Sequence, residues 1–278
     1  MKASDSSLRT RAKSALLLAP PVLILIFFGG FGFTVMMAAI AGIAAFEWAR
    51  MVMKGQQKTK PLAYLTGILT GLGVLVSGMI SAPGAIAAFF LALAFLAFAY
   101  CFSERRNNTG LLIFGIFYIG FALSDMVWVR MGTSTQGLYH LMTLLLIVWS
   151  SDTAAYFTGK AIGGPKLAPS ISPKKTWAGF FGSSLGSALV AAGMACPWVL
   201  EKLGVETIGG WGPWQYAAFG ALLGVFGQAG DLFISMFKRK FEIKDTGNLI
   251  PGHGGILDRI DALLLVGLLF CSMTRLLG

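Results

Sequence analysis

The sequence predicts an all-α polytopic integral membrane protein, and three observations carry that prediction. Hydrophobic residues make up 56% of the 278 positions and charged residues only 12%, against about a quarter charged in soluble domains. The apolar residues fall into nine runs, roughly 14–30, 32–50, 62–81, 83–102, 110–129, 137–158, 176–199, 213–236 and 256–276. Most approach the ~20 residues that a helix needs to cross a bilayer. With the N-terminus inside, all but Arg130, Lys202 and Arg275 of the 22 Lys and Arg residues fall in segments on the inner side, as the positive-inside rule requires. The expected topology therefore has about nine transmembrane helices, a cytoplasmic N-terminus and an outer C-terminus.

The breaks between runs carry turn signals: Gly29-Gly30, Lys54-Gly55, Pro83-Gly84, Asn107-Asn108 and Gly132, with longer polar stretches at 159–175, 201–212 and 237–255. Lys2, Arg9, Arg11 and Lys13 precede the first run much as in a signal peptide. A second run follows at once without a small-residue cleavage site, so a retained first helix is expected. The chain reads as one membrane domain over 1–278. Residues 1–130 form a lipid-facing helical scaffold, and 137–278 hold the helices and cytoplasmic loops that carry chemistry. The formal charge of +10 lies in short loops between apolar runs. That placement suits anionic lipid headgroups, and no nucleic-acid partner is expected. Cys101, Cys196 and Cys271 are far apart, with no CxxC, and read as packing residues. Gly67 and Gly71, Gly182 and Gly186, and Gly220 and Gly224 are spaced for close helix contact.

The acidic residues are the informative minority. Glu47, Asp125, Asp152, Asp231, Asp258 and Asp261 lie in or against apolar runs, where a carboxylate is costly and marks a site by default. The topology puts Asp152 toward the cytoplasmic end of the sixth run and Asp231 near that of the eighth. Asp258 and Asp261 open the ninth, three apart and so on one helix face. Aspartates with few histidines and no nearby thiol suit a hard cation such as Mg²⁺. The competing reading has them paired with Lys238, Arg239 or Arg259 and acting only on stability. Glu47, before Trp48 and Arg50, reads as half of a structural ion pair. Asp125, near Arg130 at an outer end, and His140 are given no chemical role.

Two loops bring complementary groups. The first holds Gly159-Lys160, Gly163-Gly164-Pro165-Lys166 and Ser172-Pro173-Lys174-Lys175-Thr176. Glycines and lysines beside a helix start suit phosphate. The second runs from Gly230-Asp231 through Ser235-Met236-Phe237-Lys238-Arg239 and Lys244-Asp245-Thr246-Gly247 to Gly252-His253-Gly254-Gly255-Ile256-Leu257-Asp258-Arg259-Ile260-Asp261. A histidine boxed by glycines at a helix start offers free N–H groups and a donor to an anion. Neither a Walker A pattern nor a Rossmann fingerprint is present.

The run Ser235–Asp261 resembles the signature of the phosphatidate cytidylyltransferases, with every specified position filled: Ser235, Lys238, Arg239, Lys244, Asp245, Gly247, Pro251, His253, Gly254, Gly255, Asp258, Arg259 and Asp261 among them. Ser151-Asp152-Thr153-Ala154-Ala155-Tyr156 and Ser172-Pro173-Lys174-Lys175-Thr176 are also similar to that family. The resemblance implies a membrane homodimer, dependence on Mg²⁺ (one or two ions), and the reaction of CTP with phosphatidate to give CDP-diacylglycerol and pyrophosphate. It places the metal on Asp231 and Asp258, with Asp261 as neighbour. A bacterial inner membrane with the site on the cytoplasmic side is the expected location.

Under that reading no general base is needed, because a phosphomonoester with a second pKa near about 6 is already largely dianionic at neutral pH. The task is to bring two polyanions together. Asp231, Asp258, Asp261, Lys238, Arg239 and His253 are the expected catalytic set. Asp152, Ser172, Lys174, Lys175, Ser235, Lys244, Asp245, Gly254, Gly255 and Arg259 are the expected phosphate and substrate contacts. The rivals are a cytidylyltransferase or CTP-dependent kinase acting on another lipid, and, from another class, a membrane transporter. A transporter leaves unexplained a carboxylate cluster confined to one face beside a glycine-histidine loop.

Overall fold

The computed structural model describes residues 16–17, 19–56, 59–80, 83–103, 107–131, 134–249 and 254–277. Each expected apolar run is matched by a helix: α1 (Ala19–Phe28), α2 (Gly30–Val52), α3 (Thr59–Ser77), α4 (Pro83–Ser103), α5 (Thr109–Met131), α6 (Ser134–Ala161), α7 (Trp177–Met194), α9 (Pro213–Lys240) and α10 (Leu257–Leu277). Among the described residues, seven of these are long and apolar enough to cross a membrane, while α1 and the Phe89–Cys101 stretch of α4 are shorter apolar helices. Helices α6 and α9 each have 28 residues. At 1.5 Å per residue each is about 42 Å long, more than the ~30 Å hydrocarbon core. Each is therefore longer than an untilted crossing needs, and both carry their acidic and basic residues in the C-terminal half.

Two features depart from the sequence expectation. Helix α7 stops at Met194 rather than near 199, because Pro197 follows and opens the short helix α8 (Pro197–Leu203) at its first turn. The stretch 159–175, expected to be a loop, contains an antiparallel hairpin of β1 (Lys166–Ala168) and β2 (Ser172–Thr176), with Lys166 opposite Thr176 and Ala168 opposite Ser172. Gly163 and Gly164 take positive φ before Pro165, which turns the chain sharply out of α6 at low steric cost. The Trp177 N–H donates to the Pro165 carbonyl and closes the hairpin base at 3.1 Å.

The chain divides into two compact units. The first comprises the residues through Trp128 together with Phe237–Ile260. Here α2 and α3 meet backbone to backbone. A Cβ on Gly67 would lie 2.6 Å from the Gly42 carbonyl oxygen, and one on Gly71 would lie 2.8 Å from that of Ala38. Trp48 fills the centre: it is fully buried, its Nε1 donates to the Leu111 carbonyl at 2.8 Å, and its ring meets Phe237 edge-on at 5.0 Å. The Lys54 ammonium donates to the carbonyls of Phe241 (2.9 Å) and Glu242 (3.1 Å), satisfying acceptors just past the end of α9.

The second unit comprises Val129–Met236 and Asp261–Gly278. Small residues again set the contacts. A Cβ on Gly179 would lie 2.8 Å from the Ala155 carbonyl oxygen, one on Gly220 2.6 Å from that of Ser187, and one on Gly230 2.8 Å from that of Asp261. Glycine at these places lets α7 approach α6, and α9 approach α7 and α10, at backbone distance. Cys101 and Cys271 are buried as expected, but Cys196 is exposed beside α8 and is not a packing residue. His140 accepts its structural role: the Gln136 amide joins its ring (2.7 Å) to the Glu206 carbonyl (2.6 Å).

Replacing Gly67 by Val forces α2 from α3. Overpacking of this kind costs about 1–3 kcal/mol, so the purified variant should melt at a lower temperature than the parent in the same detergent. An unchanged melt would contradict the α2–α3 contact.

Candidate active site

Two clusters of charge stand out, one in each unit. In the second unit, a cleft of about 340 Å³ is lined by Asp152, Tyr156 and Lys160 of α6, Lys174 and Lys175 of β2, and Gln228 and Asp231 of α9. The Lys175 ammonium lies 2.7 Å from Asp231 Oδ2 and donates to Gln228 Oε1 at 2.8 Å. Ser235, one turn along α9, donates to Asp231 Oδ1 at 3.2 Å. The hairpin makes this possible. Both lysines of β2 line the cleft, Lys175 half-buried and Lys174 exposed. Thr176 then caps α7 by accepting the Gly179 N–H at 3.1 Å, which fixes where the strand ends and the helix begins. Asp231 keeps about a third of its side chain exposed, so it is reachable from the cleft.

In the first unit the centre is Asp258, at the start of α10. Its Oδ1 lies 2.7 Å from the Lys238 ammonium. Its Oδ2 accepts from the Thr246 N–H (2.8 Å) and the Gly255 N–H (3.2 Å), and lies 3.0 Å from the Thr246 hydroxyl. Beside it sits Glu47, 3% exposed. Its Oε1 accepts the Ile256 N–H at 3.1 Å, and its Oε2 accepts the Leu257 N–H at 2.9 Å. The Thr246 hydroxyl, also 2.9 Å from Oε2, lies between the two carboxylates. It has one proton and serves one of them at a time. A Cβ on Gly247 or Gly255 would collide with the Glu47 carboxyl group. Both glycines are therefore the clearance that lets Glu47 reach the loop backbone.

This corrects the reading of Glu47. Among the described residues it forms no ion pair with a cation; it satisfies the orphan N–H groups of a helix start contributed by chain some two hundred positions away. The sequence signal was its place in an apolar run, and what was missing was the partner, since backbone donors leave no residue type to recognise. Gln228 was also missed. It is 4% exposed and stands three residues before Asp231, the spacing at which two side chains share a helix face.

The other expected site residues are distributed as follows. Ser172 opens β2, half-buried. Arg239, Lys244, Asp245 and Arg259 are exposed, and Gly254 takes a positive φ of 84° just before α10. Asp261 Oδ1 accepts the N–H of Ala262 at 2.8 Å, and Asp261 does not line the cleft. His253 lies outside the described residues.

Among the described residues no group of three or more His, Cys, Asp or Glu side chains is placed to hold a metal ion. Mg²⁺ needs fewer: it keeps several waters and is held through one or two carboxylates and the substrate's phosphates. Asp152 and Asp231, oxygen donors lining one cleft with lysines for the phosphates, fit that demand. Asp258 Oδ2 accepts two N–H groups and shares the Thr246 hydroxyl with Glu47, while among the described residues Oδ1 meets Lys238, so Oδ1 is the oxygen with room to share.

The sequence has counterparts among known proteins. The profile of the cytidylyltransferase family matches residues 9–277. The chain is a member of that family. It is 37% identical over 270 residues to the phosphatidate cytidylyltransferase of Brucella suis biovar 1 (strain 1330), covering 93% of this chain and 90% of the relative. Identity to the phosphatidate cytidylyltransferase of Bacillus subtilis (strain 168) is 31% over 274 residues, 93% and 94% of the two chains. With that of Rickettsia prowazekii (strain Madrid E) it is 35% over 217 residues, 77% and 92%. For a family member with this geometry, Glu47 has a defined task. It holds Thr246 and the Ile256–Leu257 start of α10, and with them Asp258, against α2.

Glu47→Ala leaves the buried N–H donors of Ile256 and Leu257 without an acceptor, at a cost of about 1–3 kcal/mol for each group stranded. The variant should melt lower than the parent and turn over more slowly. Glu47→Gln, which keeps one oxygen, should lie between the two. A Glu47→Ala protein with parental melting and turnover would contradict the loop-holding role.

Proposed function

We propose that this chain is a CTP:phosphatidate cytidylyltransferase, forming CDP-diacylglycerol and pyrophosphate at the cytoplasmic face of a bacterial inner membrane. The observation that carries the reading is the pairing of the two proposed metal-holding aspartates with lysines: Asp231 with Lys175 and Asp258 with Lys238, each at 2.7 Å. Carboxylates and ammonium groups side by side suit a reaction in which phosphate oxygens and a divalent ion must be held together. Family membership and the helical membrane architecture support the same conclusion.

The chemistry is an in-line attack by a phosphatidate oxygen on the α-phosphorus of CTP. A bond forms between them as the bond from the α-phosphorus to the bridging oxygen breaks, and pyrophosphate leaves with that electron pair. Mg²⁺, when bound, neutralises charge on the reacting phosphates. Its proposed ligands are Asp231, with Asp152 on the same cleft, and Asp258 with Asp261 by motif position. Lys174 and Lys175 hold phosphate oxygens as charge-assisted donors. Gln228 and Asp231 fix the Lys175 ammonium before substrate arrives, so little of its side-chain freedom is lost on binding. Ser235 orients the Asp231 carboxylate. Lys238 does for Asp258 what Lys175 does for Asp231. Lys244, Arg239, Arg259 and His253, with the N–H groups of Gly254 and Gly255, supply further donors along the nucleotide phosphates. The family resemblance also makes a homodimer the expected assembly.

Asp231→Asn and Asp258→Asn each remove a charge while keeping shape. Both variants should still insert, Asp258→Asn with a lower melting temperature because it strands the Lys238 charge, and both should lose CTP-dependent pyrophosphate release in the folded fraction, by at least the hundredfold or so associated with loss of one electrostatic group at a reacting centre. Near-parental release by both would refute the assignment.

A further inference from the structure

In the first unit, α2, α3 and the signature loop enclose a groove that the reaction chemistry above leaves unused. Its volume is about 770 Å³, within the roughly 300–1,000 Å³ typical of small-molecule sites. The walls are apolar: Ala39 and Ile43 of α2, and Ile68, Leu72 and Leu75 of α3, with the floor formed by the Gly42, Gly67 and Gly71 contact. One end is different. Arg50 lines it, with its guanidinium carbon 5.5 Å from the centre of the Phe46 ring. Gly247, Asn248 and Leu249 of the signature loop close the same end. The carboxyl group of Glu47, which also lines the groove, is taken up by backbone N–H groups and the Thr246 hydroxyl. Arg50 is therefore the charge the groove presents to a ligand: an apolar channel ending in an exposed cation.

We infer that this groove binds the phosphatidate substrate, with an acyl chain along α2 and α3 and the phosphate end held at Arg50. Two features select that occupant. Charge complementarity calls for an anionic head on an apolar tail. The shared wall with the loop that carries Asp258 calls for a molecule that reacts there, since Glu47 lines the groove and reaches the Thr246 hydroxyl between itself and Asp258. Arg50 binds phosphate through a planar fork of donors that a lysine does not reproduce. The inference rests on the cytidylyltransferase reading, and the test separates failure of the two.

The test is steady-state kinetics in mixed micelles, varying the mole fraction of dioleoyl phosphatidate and the CTP concentration independently. Parental protein must first give CTP- and lipid-dependent pyrophosphate release; if it does not, the functional reading fails, and this inference falls with it. Loss of a charge-assisted hydrogen bond is worth about 1.5–3 kcal/mol, so Arg50→Gln should raise the apparent KM for phosphatidate about ten- to a hundredfold. The KM for CTP should stay within about twofold. Ala39→Trp, at an exposed position on the groove wall, should raise the KM for dioleoyl phosphatidate more than that for dihexanoyl phosphatidate, whose short chains need less of the channel. Ala39→Leu serves the same comparison if the tryptophan variant does not fold. Equal changes in the KM of both substrates, or none with parental turnover, would overturn the inference. So would a groove that binds a second copy of the chain, seen as Ala39→Trp changing oligomeric state with the phosphatidate KM intact.

Discussion

A carboxylate carried by an apolar helix must be matched where it lies, and that constraint organises both units. Asp231 is matched by Lys175, Asp258 by Lys238 and two N–H groups, and Glu47 by the N–H groups of Ile256 and Leu257. Removing a partner from such a pair leaves a charge stranded, which costs far more than the pair contributes while intact. The pairs are thus weak as sources of stability and strong as constraints on position. They dictate that the hairpin follows α6, that α9 ends in lysines, and that glycines stand at 247 and 255.

Under the proposed function, the same pairing would let a mostly apolar chain hold polyanions. An ammonium fixed by a carboxylate and a buried glutamine, as Lys175 is, is already oriented when a phosphate arrives. The carboxylate partner would then be free to share the proposed cation with that phosphate. The Asp258 cluster repeats the logic with backbone donors in place of glutamine. Their contribution depends on Glu47 holding the loop, so a residue on α2 acts on chemistry it does not touch. The α2–α3 contact through Gly67 and Gly71 in turn determines where Glu47 and Arg50 lie on their helix.

Much of this was legible in the sequence. Helix positions followed from apolar runs, helix contacts from glycines four apart, and the candidate site residues from carboxylates where carboxylates are costly. The signature from Ser235 to Asp261 supplied the reaction. What could not be read has a common cause, which is dependence on backbone geometry. The hairpin at 166–176 is defined by main-chain hydrogen bonds in a stretch whose lysines and glycines read as loop. Glu47 recognises N–H groups, which every residue but proline has, so no pattern named its partner. Gln228 is polar but uncharged, and only the Lys175 ammonium beside it shows its use. Cys196 looked like a packing residue because Pro197, which ends α7 early, was read as part of the helix.

The most direct check of the central claim is a balance of products from the purified parental protein in phosphatidate micelles with Mg²⁺. Pyrophosphate and CDP-diacylglycerol should appear together, one for one, and only when CTP and phosphatidate are both present. Pyrophosphate release without lipid, or lipid turnover without pyrophosphate, would contradict the account.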